Sequence, residues 1–244
     1  MKINLTDMFN RFLDIPPVVK YLLLVNIVMF VVAMFVPVLD SYCALYSFRS
    51  PLFKPVQLVT HMFMHGGFWH LFFNMFSLYM FGRVLESYWG SKRFFIYYFV
   101  AGIGGALFYL LVKEIEMQVL MSSMSPEAIE HVMRNGADII MQGKNYMDPQ
   151  LGNLNAVLNV PCVGASGAIY GLLLAFGIMF PNVEMYIYFA IPVKAKWMVI
   201  AFVVIELLLG ILNAQGDNVA HFAHLGGMLI GFILLMIWRK KGEV

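Results

Sequence analysis

Apolar residues fill this chain in long runs, and short polar or proline-bearing stretches separate them. Six runs stand out, at about 18–38, 67–88, 93–112, 163–180, 195–212 and 219–238. Each approaches the roughly 20 helical residues that cross a hydrocarbon core. Gly90 ends the second run and Pro181-Asn182 stops the fourth. Between the first two, residues 39–59 carry Arg49, Pro51, Lys54 and Pro55 and read as an irregular interfacial loop. The one polar stretch is 113–161. Inside it, Ser125-Pro126-Glu127 is a helix-start signature, with a capping serine and a proline at the first helical position. Ile129, Val132, Met133, Ile139 and Ile140 then share one stripe, which suits a helix lying on a leaflet or one packed over a site as a lid. The pattern predicts an all-α polytopic membrane protein with six transmembrane helices.

Composition agrees. The 244 residues are 61% hydrophobic and 12% charged, where a soluble domain carries about 25% charge. Mean hydropathy is +0.78. A net charge of +2 gives nucleic acid no particular hold, so the lipid bilayer is the expected surroundings. Charge placement sets orientation. With the N-terminus inside, Arg49, Lys54, Lys113, Arg134 and Lys144 lie outside, and the other 11 of the 16 basic residues lie inside. The expected layout is therefore N-in/C-in: a cytoplasmic segment 1–17, a membrane domain 18–239 with a long external loop 113–161, and a cytoplasmic tail 240–244. Residues 1–17 lack an apolar core followed by a small-residue cleavage site, so they are not read as a removed signal peptide.

In this topology runs two, four and six descend from outside to inside, and each begins with polar residues. His70 and Asn74 open the second, Ser166 the fourth and His224 the sixth, all at similar depth. Hydroxyl, amide and imidazole groups in hydrocarbon must find partners. Gly164 and Gly167 clear space around Ser166, and Gly167 with Gly171 forms a small face for close helix approach. Gly227 and Gly231 do the same on the face of His224. Two such faces can bring serine and imidazole within hydrogen-bond reach, which is how a weak hydroxyl becomes a nucleophile. No acid adjoins either motif, so a Ser-His dyad is expected and not a triad. Tyr170, one turn after Ser166, could stack on the imidazole. His70, Asn74 and the Ser166 N–H could hold an oxyanion. His61 and His65 lie nearer the surface and suit loop anchoring.

Glu206 sits in mid-span five, where an acid is rare; a structural bond to span two or six is the expected role. Cys43 and Cys162 read as small core residues on one side of the membrane, where pairing is also open. CxxC and HExxH are absent, and no metal or cofactor is expected. Two other classes compete. The clustered histidines suit haem, with His70 and His224 as facing ligands, but that leaves Ser166 and Asn74 unexplained. A relative that captures transmembrane segments without cutting them would use the same fold.

The set His65-Gly-Gly-Phe-Trp-His70-Leu-Phe-Phe-Asn74, Gly164-Ala-Ser166-Gly167 with Tyr170, and Ala223-His224-Leu-Gly-Gly227-Met-Leu-Ile-Gly231 closely resembles the rhomboid intramembrane serine proteases. The likeness covers about 16–238 and extends to Gly82-Arg-Val-Leu-Glu86 and Gly90. It implies Ser166 as nucleophile, His224 as general base, His70, Asn74 and the Ser166 amide as oxyanion hole, and Tyr170 packed on the histidine. It further implies single-span membrane proteins as substrates, cleaved near the outer face of a bacterial plasma membrane. His221 has no counterpart in that scheme. The chain departs from the family in its long 113–161 segment and in lacking the Trp-Arg pair of some members' first loop.

Overall fold

A computed structural model describes residues 15–187, 191–212 and 220–244. The expected N-terminal segment up to residue 14, and the start of the sixth run at 219, lie outside the described residues. Helix α1 (Pro17–Phe35) opens with proline, and its first free N–H groups find an acceptor far along the chain. The buried Glu86 carboxylate accepts from Val18 N at 3.0 Å, Val19 N at 2.8 Å and the Ser91 hydroxyl at 2.7 Å. Negative charge at a helix N-terminus is favourable, so Glu86 joins α1 to the turn that follows the second run.

The expected interfacial loop contains two short helices, α2 (Val38–Cys43) and α3 (Gln57–Thr60). The second run is one rod built of α4 (Phe68–Ser77), a π-helical turn (Leu78–Gly82) and α5 (Arg83–Trp89). At Gly82 a Cβ would lie 2.9 Å from Val19, so glycine lets the rod seat against α1. Gly90, at φ +77°, turns the chain into α6 (Ser91–Met121).

At 31 residues α6 far outlasts the run that predicted it and continues to Met121 instead of ending at 112. Its end joins α7 (Pro126–Met141) and α8 (Pro149–Asn159) in a helical cap. Ser125 Oγ caps α7 by accepting from Ala128 N at 3.2 Å, and Asp148 caps α8 by accepting from Gln150 and Leu151 N. Met117, Val132, Leu154, Val157 and Leu158 form a separate small core, with Ile129 and Met133 packed against it. The first part of the α7 stripe therefore serves the cap's own interior.

Helix α9 (Ser166–Met179) follows, then a hairpin of β1 (Glu184–Ile187) and β2 (Ile191–Lys194). The strands pair antiparallel with Glu184 opposite Lys194, an element the helical pattern did not predict. Helices α10 (Ala195–Leu212) and α11 (His221–Lys240) complete the chain. Among the described residues α1, α6, α10 and α11 are long and apolar enough to cross a membrane. Large apolar side chains such as Leu24, Phe35, Leu208 and Ile211 face outward on α1 and α10. This is a polytopic helical membrane protein.

α9 differs from the other helices. Its 14 residues reach about 21 Å, short of a full crossing. It is the packed centre of the bundle, sharing glycine-lined faces with α6 and α11. A Cβ on Gly171 would lie 3.0 Å from Gly227 O, one on Gly231 3.4 Å from Gly171 Cα, and one on Gly105 3.0 Å from Gly227 N. The Tyr97 hydroxyl donates to Gly171 O at 2.9 Å and pins α6 to α9.

Candidate active site

The segment leading into α9 is held by backbone bonds. Leu45 and Cys162 exchange both N–H···O bonds, at 2.9 and 2.8 Å, and Gly164 N donates to His61 O at 2.9 Å. His61 is itself fixed by Nδ1 on Gln57 O at 2.8 Å, a loop anchor. Gly164 adopts φ +127°, a conformation that other residues rarely take. A Cβ there would lie 2.8 Å from His70 Nε2 and 3.6 Å from Ser166 Oγ. Its absence leaves open the space between those two groups.

Because α9 and α11 meet glycine to glycine, their first turns come together. His224 Nε2 lies 2.7 Å from Ser166 Oγ. The Tyr170 ring lies flat on the His224 imidazole, with centroids 4.2 Å apart and planes 7° from parallel. On the far side of the ring, His224 Nδ1 lies 2.9 Å from Glu206 Oε2. The same oxygen bonds His221 Nδ1 at 2.6 Å, and Oε1 accepts from the Tyr170 hydroxyl. A carboxylate oxygen only accepts, so neutral His224 carries its proton on Nδ1 and turns the Nε2 lone pair to the serine hydroxyl.

This corrects one expectation. The sequence placed no acid beside Ser166 or His224, yet Glu206, buried in α10, bonds the histidine directly. Its partners lie on α9 and α11, so of the two spans expected to hold it the sixth does. The available signal was a mid-span acid on the helix just before a His-x-x-His pair.

His70 and Asn74 line the other side. His70 Nδ1 accepts from Gly66 N at 3.3 Å, which leaves Nε2–H as the donor toward Gly164. Asn74 Nδ2 donates to His70 O at 2.8 Å and keeps a second amide proton. Asn74 Oδ1 is buried and has no partner among the described residues. His65 rests edge-on against His70, with centroids 5.1 Å apart.

Haem does not fit this site, because both ring nitrogens of His224 are engaged by Ser166 and Glu206. Glu206, His221 and His224 do bring three ligand atoms within 4.8 Å of one another. Both imidazoles already satisfy that carboxylate by hydrogen bonds, so the cluster is complete with protons. Cys43 and Cys162 are both free and buried, and burial pushes the Cys162 thiol up to about 12.

The sequence profile of the rhomboid domain matches residues 53–241. The chain belongs to the rhomboid family. It is 27% identical over 183 residues to RHOMBOID-like protein 12, mitochondrial, of Arabidopsis thaliana, covering 75% of this chain and 46% of that one. Rhomboid protein 1, mitochondrial, of Saccharomyces cerevisiae is 27% identical over 179 residues, covering 73% and 40%. YdcA of Bacillus subtilis, provisionally named a rhomboid protease, is 26% identical over 193 residues, covering 77% and 69%. This rhomboid thus spans less than half the length of the first two relatives.

Proposed function

We propose that this rhomboid is an intramembrane serine endopeptidase working through Ser166 and His224. The observation that carries the reading is the 2.7 Å contact between His224 Nε2 and Ser166 Oγ, with Tyr170 stacked on one face of the imidazole and Glu206 bonded to its other nitrogen.

The chemistry follows from that contact. Ser166 Oγ attacks the scissile carbonyl carbon while its proton passes to His224 Nε2. Negative charge gathers on the carbonyl oxygen, which receives His70 Nε2–H, the free Asn74 amide proton and the Ser166 N–H. The last lies in a first helical turn, where N–H groups have no intrahelical partner. Collapse breaks the C–N bond, and His224 returns the proton to the leaving amine. Water then attacks the acyl-serine, gives a proton to His224, and releases the acid as Ser166 recovers its own. Proton and electron pair balance without a metal or cofactor.

Taking the rod 68–89 and the shorter α9 as membrane segments beside the four long helices gives a six-segment layout, for which the excess of basic residues on one side supports N-in/C-in. In that orientation the cap is external and the site opens to the outer side of a bacterial plasma membrane. Substrates are then single-span membrane proteins cut near that face. The test is a panel of such proteins incubated with purified protein, wild type and Ser166→Ala, together with a fluorophosphonate probe. Cleavage and labelling of the wild type alone support the reading. A Ser166→Ala variant that still cuts would end it.

A further inference from the structure

We infer that Glu206 is a positioning residue that converts the Ser-His pair into a Ser166–His224–Glu206 relay, an inference that rests on the protease reading above. The bond from His224 Nδ1 to Glu206 Oε2, at 2.9 Å, sits opposite the Nε2 bond to Ser166. A carboxylate there has two effects on the histidine. It selects the tautomer whose Nε2 can accept the serine proton, and it stabilises the imidazolium formed when that proton arrives.

The surroundings of Glu206 fit that role better than a plain helix tether. Along α10 the other buried residues are Ala195 and Val199, so Glu206 is the one charged group that this helix buries. Both carboxylate oxygens are engaged, Oε1 by Tyr170 of α9 and Oε2 by His221 and His224 of α11. Tyr170 also stacks on His224, so one tyrosine fixes both the ring and the acid that orients it. His221 bonds Oε2 from the side and holds that oxygen against Nδ1 of His224. This gives His221 a place that the Ser-His scheme left empty. The titratable groups facing His224 are Ser166 and Tyr170 of α9, Glu206 of α10, His221 on its own helix and His70 of α4. From α6, Gly105 and Phe108 meet α11 and bring no charge.

Three forms of the full chain in detergent test the relay: wild type, Glu206→Gln and Glu206→Asp. Glutamine keeps the shape and an acceptor oxygen, so α10 stays tethered, but the charge is gone. Glu206→Gln should lower kcat about 100-fold or more with KM within about threefold, and Glu206→Asp should recover much of it. The pH profile supplies a readout that a structural bond would not move. Losing the carboxylate makes imidazolium less stable, so the acid limb of kcat/KM should shift to lower pH by on the order of one unit. An unchanged limb and unchanged kcat in Glu206→Gln would overturn the relay. Imidazole nitrogen NMR on 15N-histidine protein reads the same point without turnover. Wild-type His224 should hold its neutral proton on Nδ1, and Glu206→Gln should lose that preference. The same tautomer and the same titration midpoint in both would reject the assignment even if no substrate is ever found. Turnover that survives Ser166→Ala is a separate outcome, which removes the protease reading and leaves the NMR comparison to decide the fate of Glu206.

Discussion

The ring of Tyr170 covers the imidazole of His224 face to face, 4.2 Å away and within 7° of parallel, while its hydroxyl holds Glu206. The two contacts are separable by mutation. Tyr170→Phe keeps the ring and loses the bond to the acid; Tyr170→Leu loses both. Stacked aromatic pairs contribute about 0.5–1.5 kcal/mol beyond their area. Tyr170→Phe should retain activity within about tenfold of wild type, and Tyr170→Leu should fall roughly a further tenfold, mostly in kcat. Equal rates for the two variants, with equal melting temperatures, would mean that the stack does nothing for catalysis.

Ser166 and His224 should behave as one unit. Replacing either with Ala removes nucleophile activation altogether, so the double variant should be hardly slower than each single one. Asn74→Ala should differ, because His70 and the Ser166 N–H remain to meet the oxyanion. One such donor is worth about 3–4 kcal/mol, or roughly 100- to 1,000-fold in rate. Steady-state kinetics on the four variants decide the matter: residual, measurable turnover is expected only for Asn74→Ala.

The glycines that bring the pair together are equally testable. A Cβ on Gly227 would lie 2.7 Å from Gly167 C, a contact with backbone that no rotamer change relieves. Overpacking of this kind costs about 1–3 kcal/mol. Gly227→Ala should therefore lower thermal stability and also slow fluorophosphonate labelling of Ser166, because α11 carries His224 away from α9. Lower stability with an unchanged labelling rate would show that the first turns do not move with the helices.

Much of this arrangement could be read from the chain. Period and length exposed the apolar runs, and glycine spacing around Ser166 and His224 showed which faces would meet. Three things stayed hidden, each for a physical reason. Glu206 is separated from His224 by 18 positions, and proximity between residues so far apart along the chain leaves no local pattern. The cap was masked because α6 runs on past the apolar run, and hydropathy marks where lipid ends, not where a helix does. The β1–β2 hairpin is four residues to a strand, too short for alternation to stand out against apolar flanks. Ser125 and Pro126, by contrast, mark the start of α7 through local capping, which sequence carries fully.

Turnover should require no metal. Glu206, His221 and His224 have the makings of a ligand set, but the mechanism needs a proton on Nδ1 of His224, and a bound ion would displace it. Chelator should leave the rate unchanged, and added zinc should inhibit if it reaches the cluster. Loss of activity in chelator, restored by one metal, would replace the relay with a metal centre.

The cap should be separable from the chemistry. An amide ladder, buried except at its Asn145 end, ties it to the first loop: Ser50 Oγ donates to Asn159 Oδ1 at 2.7 Å, Asn159 Nδ2 to Asn155 Oδ1 at 2.8 Å, and Asn155 Nδ2 to Asn145 Oδ1 at 3.0 Å. Gly136 of α7 lets that ladder fit, since a Cβ there would lie 3.0 Å from Asn159 Nδ2. Asn155→Ala leaves the buried Asn159 amide without its acceptor, at about 1–3 kcal/mol for an unmet buried group. The cap core is small and distinct from the one around α9, so it should open on its own. Protease added to the outside of intact cells should then nick Asn155→Ala within 113–161 much faster than wild type. Labelling of Ser166 should stay within about twofold, because no cap residue bonds Ser166, His224 or Glu206 among the described contacts. Loss of labelling in step with nicking would make the cap part of the active site.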